Sequence, residues 1–500
     1  MNIKNWFKLA RTPTVKNLKS GIQKHRDRRL QIPWNFAQLG MLIFPLIPIL
    51  GALGIFLGLA GTSKHKFREI CRRPVNQGFA LLSILLVITA IFANNRIEAF
   101  IGLFNFLPFF IFFVVFSSLI QTPAQLRQLS WAIVISSIPV IILGLGQQFL
   151  GWSGIDLLQP VFGWVLEPKG NPPGRMASVF MYANILACYL TIAFILALGL
   201  WMGEVSWQLS PIPNSRCPMP KAQFPITNAR CPMPNSQFLF LTLVVVGNAV
   251  CLIFTNSRNA WGLAVLASVA FAVYAGWKKL LAGVFSAVGA VFLSAFGPPP
   301  VRQYLRTIIP AFFWARLTDE MFPNRPTATL RTTQWQFAWS MTQQRPWTGW
   351  GLRNFTPLYE AQMHEWLGHP HSLILMLTAE TGIPITLFFL GLVGWILARG
   401  VLLLMNWRSH FPVDTQQQEI EENAISNITN RIICQDVNSG DRLIFFSYLL
   451  AFAACTLFNT VDVTLFDLRL NTISWLLLAA ISGVSEALVS LSRKEARQGF

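Results

Sequence analysis

The sequence predicts an all-α protein, a polytopic bundle of transmembrane helices with a long extracytoplasmic loop. Three observations carry that prediction. Of the 500 residues, 53% are apolar and only 12% charged, a balance suited to lipid rather than water. Apolar runs of about 20 residues, the length that crosses a bilayer as a helix, recur along the chain. Basic residues cluster in a few segments beside those runs, where the positive-inside rule reads topology.

The elements follow in order. A basic N-terminal segment covers 1–36, and residues 1–30 hold nine Lys/Arg against one Asp. Residues 61–78 hold five Lys/Arg and one Glu. Both segments are expected in the cytoplasm, so the apolar stretch 37–60 must enter and return on one side. Pro45, Pro48 and Gly51 interrupt it, as a re-entrant hairpin or two short helices would require. Ten full spans follow near 79–94, 102–120, 128–150, 178–200, 238–255, 260–276, 280–297, 375–398, 443–463 and 471–490. No small-residue cleavage site follows a short apolar core near the N-terminus, so no removable signal peptide is expected.

Counting sides from the N-terminus places Arg127, Lys278–Lys279 and the 491–500 tail inside, and 151–175, 256–259 and 298–371 outside. The membrane portion 37–297 is then broken by a cytoplasmic insertion at 203–237, and the C-terminal portion 372–490 by a cytoplasmic loop at 405–442. Both termini are expected inside an inner (plasma) membrane. The 405–442 loop carries six acidic and three basic residues, but acidic residues weigh little in the rule. It reads as flexible and polar. The net charge of +18 is thus a topology signal, and nucleic acid is not an expected partner.

The seven cysteines fit this map, with Cys188, Cys251 and Cys455 in spans and Cys71, Cys217, Cys231 and Cys434 on the cytoplasmic side. None could staple the external loop. Cys217 and Cys231 belong to a tandem near-duplicate, NSRCPMPKAQF and NARCPMPNSQF, whose prolines oppose helix. They lack the CxxC or histidine partners of a zinc site.

The external loop is the informative region. Within Thr327–Gln343, Leu330, Trp335, Phe337, Ala338, Trp339 and Met341 share one broad helical arc, opposite Thr333, Gln336 and Ser340. Such a helix either lies along the membrane surface or packs in a small core of the loop's own. The loop ends in RPWTGWGLRNF, thirteen further residues, and HPHSLILMLTAETG, running from Arg345 to Gly382.

Three polar residues meet at the external boundary if the topology holds: Arg175, Arg258 in TNSRNAW, and His371. The planar fork of Arg suits phosphate and keeps its charge near lipid. A neutral His accepts a proton from a hydroxyl near neutral pH. Two arginines and one base suit transfer from a diphosphate donor, whose leaving charge needs stabilising. No DxD-like carboxylate pair stands in the external segments, so no metal or other cofactor is expected. Taken singly, each residue has an ordinary reading. An Arg at a span end snorkels, a His at a helix start caps or sits at the interface, and Gly349 with Gly351 makes a turn. His364 and His369 share the loop, so composition alone does not single out His371.

These residues resemble the O-antigen ligase and polymerase superfamily of membrane glycosyltransferases in three places. The first is an Arg followed by a span carrying Asn, here Arg175 and Asn184. The second is a Ser-Arg break, Ser257 and Arg258. The third is P-x-x-G-x-G, then His, a leucine-rich segment and Glu-x-Gly: Pro346, Gly349, Gly351, His371, Glu380 and Gly382. The likeness covers roughly residues 170–400, and Ser372 departs from it, standing where the family usually has Asn. The resemblance implies a metal-independent, inverting transfer from an undecaprenyl-diphosphate-linked glycan at the periplasmic face. It makes Arg175, Arg258 and His371 catalytic, the arginines holding the diphosphate and the histidine orienting or deprotonating the acceptor hydroxyl. Arg331, Asn184, Ser257 and Glu380 would contact substrate. The partners implied are a lipid-linked oligosaccharide donor, a glycan or lipid acceptor and the membrane.

Two other functions compete. Some chains resembling this superfamily carry the label of bicarbonate transporter, but a transporter places ionisable groups near mid-membrane. The spans read here carry essentially no interior charge, and Asp462, the nearest case, sits at an external span end. A non-catalytic envelope scaffold would tolerate loss of the arginines and histidine.

Overall fold

The computed structural model describes residues 25–154, 162–209, 236–318, 320, 326–407 and 424–498. The tandem near-duplicate with Cys217 and Cys231, apart from its last three residues, and the basic residues up to 24 lie outside them. Among the described residues the chain is helical with no strand, and ten helices are long and apolar enough to cross a membrane. All ten overlap the runs read from the sequence. The protein is an all-α, multi-pass helical bundle.

The apolar stretch near the N-terminus resolves into two helices, α1 (Gln31–Ile43) and α2 (Pro48–Arg72). They pack backbone to backbone because Gly51, Gly54, Gly58 and Gly61 line one face of α2. A Cβ on Gly51 would lie 2.4 Å from Phe44 Cα, and one on Gly54 2.8 Å from Gly40 Cα. Only hydrogen fits at such contacts. The pair runs the depth of the bundle. Trp34 Nε1 donates to Gln128 Oε1 at one end, while Trp164 Nε1 donates to Leu46 O at the other.

Next come α3 (Pro74–Ile91), α4 (Arg96–Leu103), α5 (Leu107–Leu119) and α6 (Pro123–Leu150). Helix α6 starts where its sequence says a helix should. Thr122 and Gln125 form a reciprocal capping box, Pro123 opens the first turn, and Gly151 closes the last in the left-handed region. Helix α7 (Ala183–Leu209) is the most enclosed span. Helices α8 (Ser236–Phe254), α9 (Arg258–Ala275) and α10 (Lys278–Phe296) pack towards the outside. Leu243, Phe285 and Phe292 stay exposed there, as a lipid-facing surface requires.

The long loop carries α11 (Pro299–Ile308), α12 (Ala311–Leu317), α13 (Arg331–Gln344) and α14 (Phe355–Met363). It returns through α15 (Leu373–Thr381) to α16 (Ile383–Met405). Of the two readings of α13, the structure takes the small core. Phe337, Ala338 and Met341 bury against Phe355, Tyr359 and Ala379, while Trp339 points outward.

Helices α17 (Ala424–Val461) and α18 (Leu468–Gln498) close the bundle. Residues 424–442, expected within a flexible polar loop, instead continue α17, because the span nucleates helix that propagates backwards cheaply. The expectation of uncharged span interiors also needs correction. Glu486 of α18 takes a 2.8 Å ion pair from Arg73 and a 3.8 Å one from Arg399 of α16. This network lies at the end of the bundle where Arg73 also reaches Ser117 O, far along α18 from Asp462.

Candidate active site

At the other end of the bundle, the segment before α7 folds into tight turns that present Arg175. The amide of Gly174 donates to Lys169 O, that of Arg175 to Pro172 O, and that of Met176 to Phe254 O at the end of α8. Gln147 of α6 pins the next residues, its Oε1 accepting from Ala177 N and Ser178 N at 3.1 and 2.8 Å. Arg469 pins them from α18, donating to Val179 O and Gly163 O. The Arg175 guanidinium is thereby fixed. Its Nε donates to Thr255 O at 2.9 Å and a terminal nitrogen to Asn184 Oδ1, with the Tyr182 ring 5.8 Å away.

From Arg175 a polar chain crosses the bundle. Arg can only donate, so the Asn184 carbonyl faces it and the Asn184 amide turns the other way. That amide donates to Asp462 Oδ2. The other oxygen, Oδ1, accepts from Val463 N at 2.9 Å and lies 3.0 Å from His371 Nδ1. Asp462 is 4% exposed. Burial pushes its pKa up, but the hydrogen bond and charge of His371 outweigh that and hold it well below the usual carboxylate range. A carboxylate there makes Nδ1 the protonated nitrogen and leaves His371 Nε2 with its lone pair. Burial also lowers the Arg175 pKa, helped by the charges of Arg331 and Arg258. Those two arginines therefore lie in the same electrostatic neighbourhood.

Ser257 is the residue before α9 and Arg258 its first residue, directly after the Thr255 carbonyl that holds Arg175. Ser257 is buried, so its hydroxyl has little surface to offer substrate. Arg331 opens α13 from the loop side. His369 completes the cluster, its ring stacked on Phe466 at 5.8 Å and its Nδ1 accepting from His371 N at 3.2 Å. Burial and the neighbouring His371 push its pKa down to about 4. His369, His371 and Asp462 each offer one donor atom within 4.8 Å of the others, a set able to hold a cation.

Glu380 does not join them. Expected to contact substrate, it is 2% exposed and turns inward, accepting from the amides of Phe355 and Arg353. Burial lifts its pKa to about 8. Its neighbours dock the glycine turn: Trp350 N donates to Ala379 O, Gly351 N to Glu380 O, and Ile383 N to Pro346 O. Gly349 has φ 66°, and a Cβ there would lie 2.4 Å from the Glu380 carbonyl carbon. The P-x-x-G-x-G and Glu-x-Gly segments are thus two halves of one joint. They set where the loop between them, with His371, returns to the bundle.

Residues 243–390 match the family model described as O-antigen ligase. Over that stretch the chain is similar to the O-antigen ligase family. With its membrane-spanning helices, that match makes the chain similar to membrane proteins of polysaccharide biosynthesis whose family carries out glycosyl transfer of ligase or polymerase type. The matched stretch of this ligase-like chain contains Ser257, Arg258, Arg331, His371 and Glu380, but ends before Asp462 and begins after Arg175 and Asn184. A search of curated proteins finds no match to the chain.

Sequence reasoning weighed Asp462 only as a possible intramembrane charge and passed over His369 as one histidine among several. The available signal was a pair of acidic residues, Asp462 and Asp467, in the short connection between two spans, NTVDVTLFDL. Thr255, Gln147 and Arg469 gave none, since backbone acceptors and helix neighbours are invisible in sequence.

Proposed function

We propose that this chain is an inner-membrane glycosyltransferase acting at the periplasmic face, moving a glycan from an undecaprenyl-diphosphate donor to a sugar or lipid hydroxyl. One observation carries the reading: the continuous Arg175–Asn184–Asp462–His371 chain, which joins a phosphate-binding group to a base. The acceptor hydroxyl attacks the anomeric carbon of the donor sugar from the side opposite the diphosphate, and the bond from that carbon to the diphosphate oxygen breaks. The hydroxyl proton passes to His371 Nε2, and Asp462 stabilises the imidazolium that forms. Charge developing on the departing diphosphate falls to Arg175 and Arg258, with Arg331 approaching from the loop. Asn184 acts as a positioning residue between the two arms. Ser257 and Glu380 serve the scaffold, the first at the start of α9 and the second inside the glycine joint.

The placement of the Arg175, Asp462 and His371 cluster at an end of the bundle, rather than half-way across it, favours surface chemistry over solute passage. The test is surface polysaccharide in cells carrying His371→Ala or Arg258→Ala. Both should abolish it while the protein accumulates normally in the membrane. Wild-type polysaccharide in both strains would overturn the proposal.

A further inference from the structure

The geometry points to an inhibitory transition-metal site built from His369, His371 and Asp462, in which a bound Zn²⁺ or Co²⁺ switches off the base. His371 Nδ1 lies 3.0 Å and His369 Nε2 4.0 Å from Asp462 Oδ1. Two imidazoles and one carboxylate form a ligand set for borderline cations such as Zn²⁺ and Co²⁺. Bonds of about 2.0–2.1 Å place tetrahedral ligands roughly 3.3 Å apart, between the two distances seen. The third pair, the two imidazole nitrogens, lies within 4.8 Å, so the rings close the set by turning towards one another. Asp462 is held in place by Asn184 and Val463 N, and His369 by the Phe466 ring, so the ligands are anchored from behind.

The chemistry of His371 makes binding and catalysis mutually exclusive. A neutral imidazole carries one ring proton. With Asp462 alone as neighbour, that proton sits on Nδ1 and Nε2 is bare. A cation on Nδ1 needs the lone pair there, so the proton moves through solvent to Nε2. The ring stays neutral, yet the atom that must accept the hydroxyl proton no longer can. The inhibition rests on the base reading given above for His371; the binding does not.

The test uses the full chain purified without a polyhistidine tag, with Co²⁺ alone as the probe. Wild type should bind one Co²⁺ with the visible absorption of a low-coordinate site, displaced by Zn²⁺. His369→Ala should weaken binding at least ten-fold, His369→Gln should do the same with an unchanged metal-free melting temperature, and His364→Ala should bind as wild type. Zn²⁺ should inhibit glycan transfer by wild type, reversibly by chelator. Absence of the absorption, or its persistence in His369→Ala, overturns the metal site and leaves the base reading standing. His369-dependent binding that leaves transfer unaffected by Zn²⁺ overturns the coupling and, with it, the base reading.

Discussion

Replacing Asp462 with Asn tests the polar chain at the point where its two arms meet. Three donors converge on the carboxylate: Asn184 Nδ2, Val463 N and His371 Nδ1, the last at 3.0 Å. Asn offers a single acceptor oxygen and sets a second amide among those donors. Either His371 loses its partner and takes the wrong tautomer, or Asn184 loses its hold and Arg175 shifts. The charge goes as well. A carboxylate 3.0 Å from an imidazolium is worth about 5 kcal/mol at an effective dielectric of 20. Part of that is already offset by desolvation, and general-base catalysis contributes about 10²–10⁴-fold in rate. The expected result is a fall in kcat of about 10²–10⁴-fold with a small change in KM for the donor. Transfer by purified chain from a lipid-linked oligosaccharide measures it. A folded Asp462→Asn variant within ten-fold of wild-type kcat would refute the dyad.

Three further outcomes follow from the same geometry. Arg175→Lys keeps the charge but loses the fork that bonds Thr255 O and Asn184, so donor KM should rise about ten-fold, about 1.4 kcal/mol, read in the same transfer assay. Glu380 ionises near 8 when folded against 4.5 as a free carboxyl. Its stabilisation is fully present below about pH 4.5 and lost as pH rises through about 8, at about 1.4 kcal/mol per pH unit between. Wild-type melting temperature should therefore fall across that window, and Glu380→Gln, which still accepts from Phe355 N, should flatten the slope. Gly51→Ala drives a methyl into Phe44, 2.4 Å from its Cα, and should cost about 1–3 kcal/mol in a thermal melt, with no change in transfer per folded molecule.

The ten spans were legible in the sequence, and the arginines and His371 could be singled out there as candidates, because both readings rest on local quantities. Hydrophobic length alone decides whether a helix crosses a bilayer, and a motif keeps its spacing whatever surrounds it. The α1–α2 stretch was half legible: its prolines announced a break. How the halves pair depended on the glycine face of α2 finding α1, which is a contact between helices.

What the sequence by itself determined is a multi-pass helical membrane bundle. Only the tertiary structure decided which groups work together. Asp462 stands 91 residues from His371 and 278 from Asn184, and no period or spacing links positions so far apart. Glu380 shows the converse. Two residues before Gly382 in a motif, it reads as a substrate contact, yet packing turns it inward onto the amides of Phe355 and Arg353. A buried polar group must satisfy its hydrogen bonds with whatever the fold brings alongside, and that neighbour is set by helix packing rather than by chain order.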